Sequence, residues 1–382
     1  MKKLLLSLFL ILAAAPVGAQ TAAFDGVAPI ETAAKQAILL DATTGTVLFA
    51  KDADSRMATS SMSKILTMYL VFEAIKNGKL KLDDSTTVSE YAWKQSGSRM
   101  FLNVGDRVKI EDLVRGVIIQ SGNDAAVALA EAVGSTEGNF AAMMNAKAHE
   151  LGMANSHFMN ATGMPDPEHY STARDLAVLA QAIMRDFPED YHYFSEQEFT
   201  YNNIKQGNRN PLLYRNIGVD GLKTGHTEVA GFGLVASAQH DGRRMVLVVN
   251  GLNDMQERAD EPAKLLDWGY REFGLYPVVK ANERLAEAKV WLGLDAAVPL
   301  LAEKDVTLTL PRSARNGLKA VVTFDQPVEA PIVKGESLGK ITVTAPGMTA
   351  VEVPLLAASD VARVGFFARV VAKLNVLLGR GA

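Results

Sequence analysis

The chain has 382 residues, 48% of them hydrophobic, and a formal net charge of −4, which suits two domains around a large core. The acidic balance argues against binding nucleic acid. Cysteine is absent and the six histidines show no metal-ligand spacing, so a disulfide framework and a thiolate metal site are excluded and no metal or cofactor is expected.

Met1-Lys2-Lys3 followed by the apolar run 4–15 and by Val17-Gly18-Ala19 has the make-up of an export signal over residues 1–19. The run is too short for a membrane span. Cleavage would start the mature chain at Gln20 and take the net charge from −4 to −6. Residues 20–36 read as a stretch of low order. Segments 37–40 and 47–50, joined through Thr44-Gly45, predict a hairpin. From Ser61 a long run, Ile65 to Phe72, is apolar nearly all round and reads as a buried helix that stops at Asn77-Gly78. Helical patterns continue to about Arg185. Strands return after Glu196, and 231–237 with 243–250 form a second hairpin across Asp241-Gly242. Helix follows at 263–273, then Gly274-Leu275-Tyr276-Pro277 reads as a linker.

This order predicts an α/β (α+β) catalytic domain over 20–275: an antiparallel sheet flanked by helices, with the site between sheet and helical part. From 276 to 359 the texture changes to short strand-like segments, 288–292, 306–310, 318–324, 341–344 and 350–355, separated by turn signals. That is a small all-β domain, expected to be a spacer or a partner-binding surface. Residues 360–382 predict an amphipathic terminal helix. Phe366, Phe367, Val370, Val371, Leu374, Leu377 and Leu378 share one face, Arg369, Lys373 and Arg380 group beside it, and Arg363 can snorkel. Such a helix lies on an anionic membrane surface.

Three motifs follow one another: Ser61-Met62-Ser63-Lys64, Ser121-Gly122-Asn123 and Lys223-Thr224-Gly225. A serine hydroxyl needs a base beside it to act as nucleophile. Lys64, one helical turn after Ser61, can be that base if burial or a nearby cation such as Lys223 holds it neutral. Ser121 can relay a proton to a leaving amine, and Asn123 can hold Lys64 or a substrate carbonyl. Lys223 and Thr224 can bind a carboxylate, and Gly225 would let a substrate backbone approach its strand. The backbone N–H groups of Ser61 and His226 can form an oxyanion hole, worth about 10²–10³ in rate per donor. The His226 ring is not needed as base with Lys64 at the nucleophile. A second Ser-x-x-Lys, Ser337-Leu338-Gly339-Lys340, sits in a turn leading into a strand, where Lys340 reads as a solvated charge.

The three motifs in this order are the signature of penicillin-recognising serine enzymes. The chain resembles their low-molecular-mass penicillin-binding proteins that are serine-type D-alanyl-D-alanine carboxypeptidases. The likeness extends to Ala37-Ile38-Leu39-Leu40-Asp41, Gly105-Asp106, Asp124, Tyr170-Ser171-Thr172-Ala173-Arg174-Asp175, the stretch from Asp220 to Thr227, and Leu265-Leu266-Asp267-Trp268-Gly269-Tyr270. The resemblance implies a β-lactamase/transpeptidase-like catalytic fold. It also implies a Ser61 acyl-enzyme formed from stem peptides ending in D-Ala-D-Ala, β-lactam antibiotics as covalent inhibitors, and a periplasmic protein held at the inner membrane. It places Arg258 where some relatives assist carboxylate binding. Thr162-Gly163 stands where some have His-Gly, so no role passes to that position, and Asp175 reads as structural. Class A β-lactamases share the fold but carry a deacylating glutamate after the Ser-x-Asn motif. Here the comparable stretch, Asn155 to Asn160, has none, and Glu150 and Glu168 stand in no matching sequence. A β-lactamase and a catalytically silent wall-binding protein are the competing readings.

Overall fold

The structure, a computed structural model, describes residues 26–378. The expected leader over 1–19 and Arg380 lie outside the described residues, as do the side chains of Lys373 and Leu377.

In chain order the catalytic part comprises β1 (Gln36–Asp41), β2 (Val47–Lys51), α1 (Lys64–Lys76), β3 (Ser85–Thr87), α2 (Glu90–Trp93), β4 (Arg107–Lys109), α3 (Ile110–Ile118), α4 (Asn123–Gly134), α5 (Glu137–Glu150) and α6 (Ala173–Asp186). It continues with β5 (Glu198–Tyr201), β6 (Ile204–Gly207), β7 (Val219–Thr227), β8 (Gly231–His240), β9 (Arg243–Leu252) and α7 (Met255–Glu272). Five strands form one antiparallel sheet in the order β2-β1-β9-β8-β7.

The sheet is buried on both faces. Ile38, Val235, Val246 and Val248 pack with α1, α3, α4 and α6 in one core. Their neighbours Ala37, Leu39, Leu234, Ala236, Leu247 and Val249 pack with Leu265, Leu266 and Trp268 of α7 in the other. Side chains that alternate across the pleat thus glue helices to both sides of the sheet. Helix α1 is the axle of the helical part. Ten of its side chains, from Lys64 to Phe72 and Ala74, are buried, as expected for a helix apolar all round. Thr136 and Thr172 cap α5 and α6 by accepting from the N–H groups of Asn139 and Asp175.

The second part holds β10 (Phe273–Val279), β11 (Arg284–Trp291), β12 (Ala297–Ala302), β13 (Val306–Pro311), β14 (Lys319–Phe324), β15 (Val328–Glu329), β16 (Ser337–Thr344) and β17 (Val351–Ala357). Six of these order as β14-β16-β17-β12-β11-β15, and β10 pairs with β13. The small all-β domain is therefore present. Strands β10, β12 and β15 were not read from the sequence.

Gly274-Leu275-Tyr276-Pro277 is not a linker. It lies within β10, which begins one residue after α7 ends and pairs from Phe273↔Pro311 onward. Glycine and proline signal a break, but a two-stranded ribbon tolerates proline where the register shifts, and it does so at Pro277/Val279. The terminal helix, α8 (Phe366–Leu377), begins later than residue 360. Val361 and Arg363 instead make bridges to Ile332 and Gly293, because extended pairing on the β domain satisfies their backbone first.

Candidate active site

Ser61 does not begin α1. It lies in a 3₁₀ turn, Ser60–Ser63, that runs into α1 at Lys64. The turn is wedged into its surroundings. A Cβ on Gly163 would stand 1.8 Å from the Ser60 carbonyl oxygen, at a φ of +79°. One on Gly225 would stand 2.8 Å from the Thr59 carbonyl oxygen. Gly225 thus admits the close approach of the protein's own nucleophile turn, a need for glycine that the sequence reading did not include. Ser63 Oγ is 2.8 Å from His169 Nε2 and 2.6 Å from Thr59 Oγ1. Since His169 Nδ1 accepts from the Met159 N–H, Nε2 carries the proton and donates to Ser63.

Lys64 is fully buried. Its Nζ is 3.0 Å from Ser61 Oγ, 2.7 Å from Asn123 Oδ1 and 2.6 Å from the Thr162 carbonyl oxygen. Burial, and then the nearby Arg209 guanidinium, lower its pKa from 10.5 to about 7. A neutral amine has two N–H bonds and one lone pair. The Asn123 and Thr162 oxygens can only accept, so they take the two N–H bonds. The lone pair is left for the Ser61 hydroxyl.

Ser121 lies in the link between α3 and α4, and Asn123 is the first residue of α4. Ser121 sits at φ +62°, in the left-handed region, where a non-glycine backbone is strained. Its Oγ is buried and, among the described residues, has no hydrogen-bond partner. Asn123 is held by donating from Nδ2 to the Ser96 carbonyl at 2.6 Å. Buried Asp124 fixes the link by accepting from the N–H groups of Met100 and Leu102.

Strand β7 closes the other side. It is the last strand of the sheet, with no strand partner on its outer edge, the arrangement that lets a peptide backbone add to a sheet. Lys223 and Thr224 are buried, and Lys223 Nζ is 3.4 Å from the Thr224 carbonyl oxygen. Burial and the charges of Lys64, Arg209 and Arg258 hold the Lys223 pKa well below its usual value. Arg209 lowers the Lys64 pKa, and Lys64 in turn lowers that of Lys223. Arg258 on α7 is buried and lies 5.3 Å over the Phe232 ring, and its Nε has no hydrogen-bond partner among the described residues. The exposed His226 ring stacks on Phe232 at 3.9 Å.

The three motifs and Arg258 thus converge on one cleft. Sequence reasoning missed Arg209, His169 and the Thr162 carbonyl, and named Asp124 without giving it a role. Arg209 donates to Ser98 Oγ from the stretch between β6 and Pro211, which has no periodic pattern to mark it. The second Ser-x-x-Lys lies in β16, far from this constellation in the fold. Its Lys340 pairs with Glu352 at 2.6 Å on the exposed surface. Among the described residues no group of three His, Cys, Asp or Glu side chains is placed to hold a metal ion.

Residues 22–254 match the family model "D-alanyl-D-alanine carboxypeptidase", and 273–363 match "Penicillin-binding protein 5, C-terminal domain". The chain is 39% identical over 370 residues to D-alanyl-D-alanine carboxypeptidase DacA of Haemophilus influenzae, covering 95% of this chain and 94% of the relative. It is 41% identical over 341 residues to DacC of Escherichia coli, covering 87% and 85%. Penicillin-binding protein 5 from Haemophilus influenzae, a crystal structure, superposes with a TM-score of 0.81 at 38% identity, over 88% of this chain and all of that one.

Proposed function

Because the chain belongs to the D-alanyl-D-alanine carboxypeptidase family, we propose that it removes the terminal D-alanine from peptidoglycan stem peptides through an acyl-enzyme on Ser61. The observation that carries this reading is the three-way contact of Lys64 Nζ with Ser61, Asn123 and Thr162. The neutral Lys64 amine takes the Ser61 proton as Oγ attacks the penultimate carbonyl. The backbone N–H groups of Ser61 and His226 receive the oxyanion. Lys223 and Thr224, with Arg209 and Arg258 beside them, hold the terminal carboxylate, whose charge favours the protonated form of Lys223 against the burial that lowers its pKa. Ser121, whose hydroxyl has no other partner among the described residues, passes the proton to the departing D-alanine amine. Water then releases the shortened peptide.

A β-lactam enters the same sequence, but its acyl-enzyme persists. The comparable stretch, Asn155 to Asn160, holds no glutamate to drive deacylation. Glu137 is occupied by the Ala161 N–H and the Tyr91 hydroxyl, and the exposed Glu168 lies in a loop stretch whose backbone binds His157. Mass spectrometry tests this. Penicillin should add one adduct, on the peptide bearing Ser61, that survives for many minutes, and a D-Ala-D-Ala peptide should lose one D-alanine. An adduct on Ser121 or Ser337 would refute the assignment, and rapid multiple turnover of penicillin would favour a β-lactamase.

We further infer that the protein works in the periplasm, exported by residues 1–19 and held at the inner membrane by 360–382. Phe366, Phe367, Val371 and Leu374 of α8 are more than half exposed, which suits an apolar face that enters lipid headgroups. No helix among the described residues is long and apolar enough to cross a membrane. A chain ending at Ser359 should hydrolyse D-Ala-D-Ala peptides normally and fail to sediment with anionic vesicles. The full chain should sediment with them, and salt should weaken this only in part, since apolar burial is not screened. Equal sedimentation of both forms would show that α8 has another role.

A further inference from the structure

A cavity of about 1160 Å³ opens where the catalytic part meets the β-rich part. Its walls are the turn between β8 and β9, the second half of α7, the start of β10 and a 3₁₀ turn, Arg312–Gly317. Five cationic side chains line it, Arg243, Lys264, Arg271, Arg312 and Arg315, against two carboxylates, Asp241 and Asp267. Three of the cations are already paired: Arg243 with Asp41, Lys264 with Glu261, and Arg271 with Asp267. Asp241 lies 3.0 Å from His240. Among the described residues, Arg312 and Arg315 have no carboxylate partner. Arg312 donates to the carbonyls of Tyr270 and Arg271 at the C-terminal end of α7, and Arg315 lies 5.8 Å over the Tyr276 ring. Both are exposed. Three residues apart on a 3₁₀ turn, their side chains leave the backbone on the same side. Ile217, Leu266 and Leu275 add apolar wall around them.

Two unpaired guanidinium groups beside apolar side chains suit a peptide carboxylate, which a guanidinium fork meets with two parallel hydrogen bonds. A lipid headgroup does not fit the place. Helix α8 follows Val361 and Arg363, which are bridged to Ile332 and Gly293, whereas the cavity lies at the junction with α7. Distance from the cleft decides which peptide is bound. Along β8, Gly233 pairs with Gly225 beside the nucleophile turn, and His240, about seven residues on, lines the cavity. At about 3.3 Å per residue the two places stand about 23 Å apart, so a D-Ala-D-Ala end held at Ser61 cannot also fill the cavity. The next step rests on the carboxypeptidase reading. We propose that the cavity is a second binding site for the wall polymer, in which Arg312 and Arg315 hold the terminal carboxylate of a neighbouring stem peptide while another is cut at Ser61. Attachment at two points keeps the enzyme on the polymer and leaves the chemistry unchanged.

The test uses the full chain and three probes: soluble, un-cross-linked wall strands, the same strands with their carboxylates converted to amides, and a short acylated D-Ala-D-Ala peptide. With Ser61 blocked by penicillin, the native protein should still bind the strands at low salt, about fivefold tighter than the amidated ones, the size of exposed charge contacts. Salt at about 0.5 M should remove the difference. Arg312→Gln with Arg315→Gln should erase it. Because Arg312 also caps α7, Arg315→Glu alone is the second variant, and it should erase at least about half. During turnover both variants should raise KM for the strands at native kcat, the mark of lost ground-state attachment. Both should keep the native rate on the short peptide and on penicillin. Equal binding of strands and amidated strands, or binding and KM untouched by both variants, would overturn the second site while leaving the carboxypeptidase reading intact. No D-alanine release from the short peptide, with no penicillin adduct on Ser61, would overturn that reading and the proposal with it.

Discussion

Lys64→Arg should lower the rate of Ser61 acylation by about 10³-fold or more, read either as penicillin adduct formation or as kcat/KM for D-alanine release. A general base contributes on the order of 10²–10⁴ in rate, and a guanidinium cannot give up its proton at any pH the protein survives. The geometry sharpens the expectation. Nζ reaches two oxygens that only accept, on Asn123 and Thr162, and the lone pair that remains is aimed at Ser61. An arginine there offers donors in every direction and no lone pair. Lys223→Arg should behave differently, because a cation for the carboxylate survives. It should raise KM more than it lowers kcat. Equal and mild losses in the two variants would refute this division of labour. Circular dichroism and the melting temperature of each variant separate a lost base from a lost fold.

Acylation by penicillin should fall about tenfold for each pH unit below 7 and level off above it, since only neutral Lys64 acts and its pKa lies at about 7. The Lys223→Arg variant should keep this limb, because the group that titrates is Lys64. A profile flat from pH 5 to 8 would show that some other group takes the proton. The same shift acts on stability. The unfolded chain holds the Lys64 proton up to pH 10.5, and the folded one only to about 7. Between these values the unfolded state binds more protons, so this group's contribution rises with pH, by about 1.4 kcal/mol per unit. Stability is correspondingly lost as pH falls toward 7. The base is obtained at the expense of the fold, as active sites commonly require.

The parts of the molecule legible in the sequence were those with local signatures. The hairpin of β1 and β2, the buried run of α1, the hairpin of β8 and β9 and the three motifs each announce themselves within about ten residues. What was not legible is made by the chain meeting itself. Thr162 contributes a backbone carbonyl, which no side-chain pattern marks. Arg209 acts on Lys64 from a loop about 150 positions away in the chain. Gly225 also makes room for the Thr59 carbonyl, a packing need that its own motif does not reveal. Strand β10 was hidden by its own glycine and proline. Asp360 looked like a helix start, but strand-like bridges from the β domain claim Val361 and Arg363 first.

The junction at Phe273 has a mechanical meaning. Its ring meets Trp268 of α7 at 5.3 Å, its backbone opens β10, and its carbonyl accepts from Arg243, which is itself paired with Asp41 of β1 at 2.6 Å. A single residue therefore fastens the helix, the central sheet and the first strand of the β-rich part. Thr44 and Thr309, 2.7 Å apart, add a second bolt off that axis. Two fixings that do not share a line resist twisting as well as bending. The β-rich part is thus a rigid strut, and a pull applied at its far end turns the whole body instead of swinging a hinge. The cleft that holds Ser61 thus keeps one orientation relative to the far end of the strut, where Val361 and Arg363 are paired.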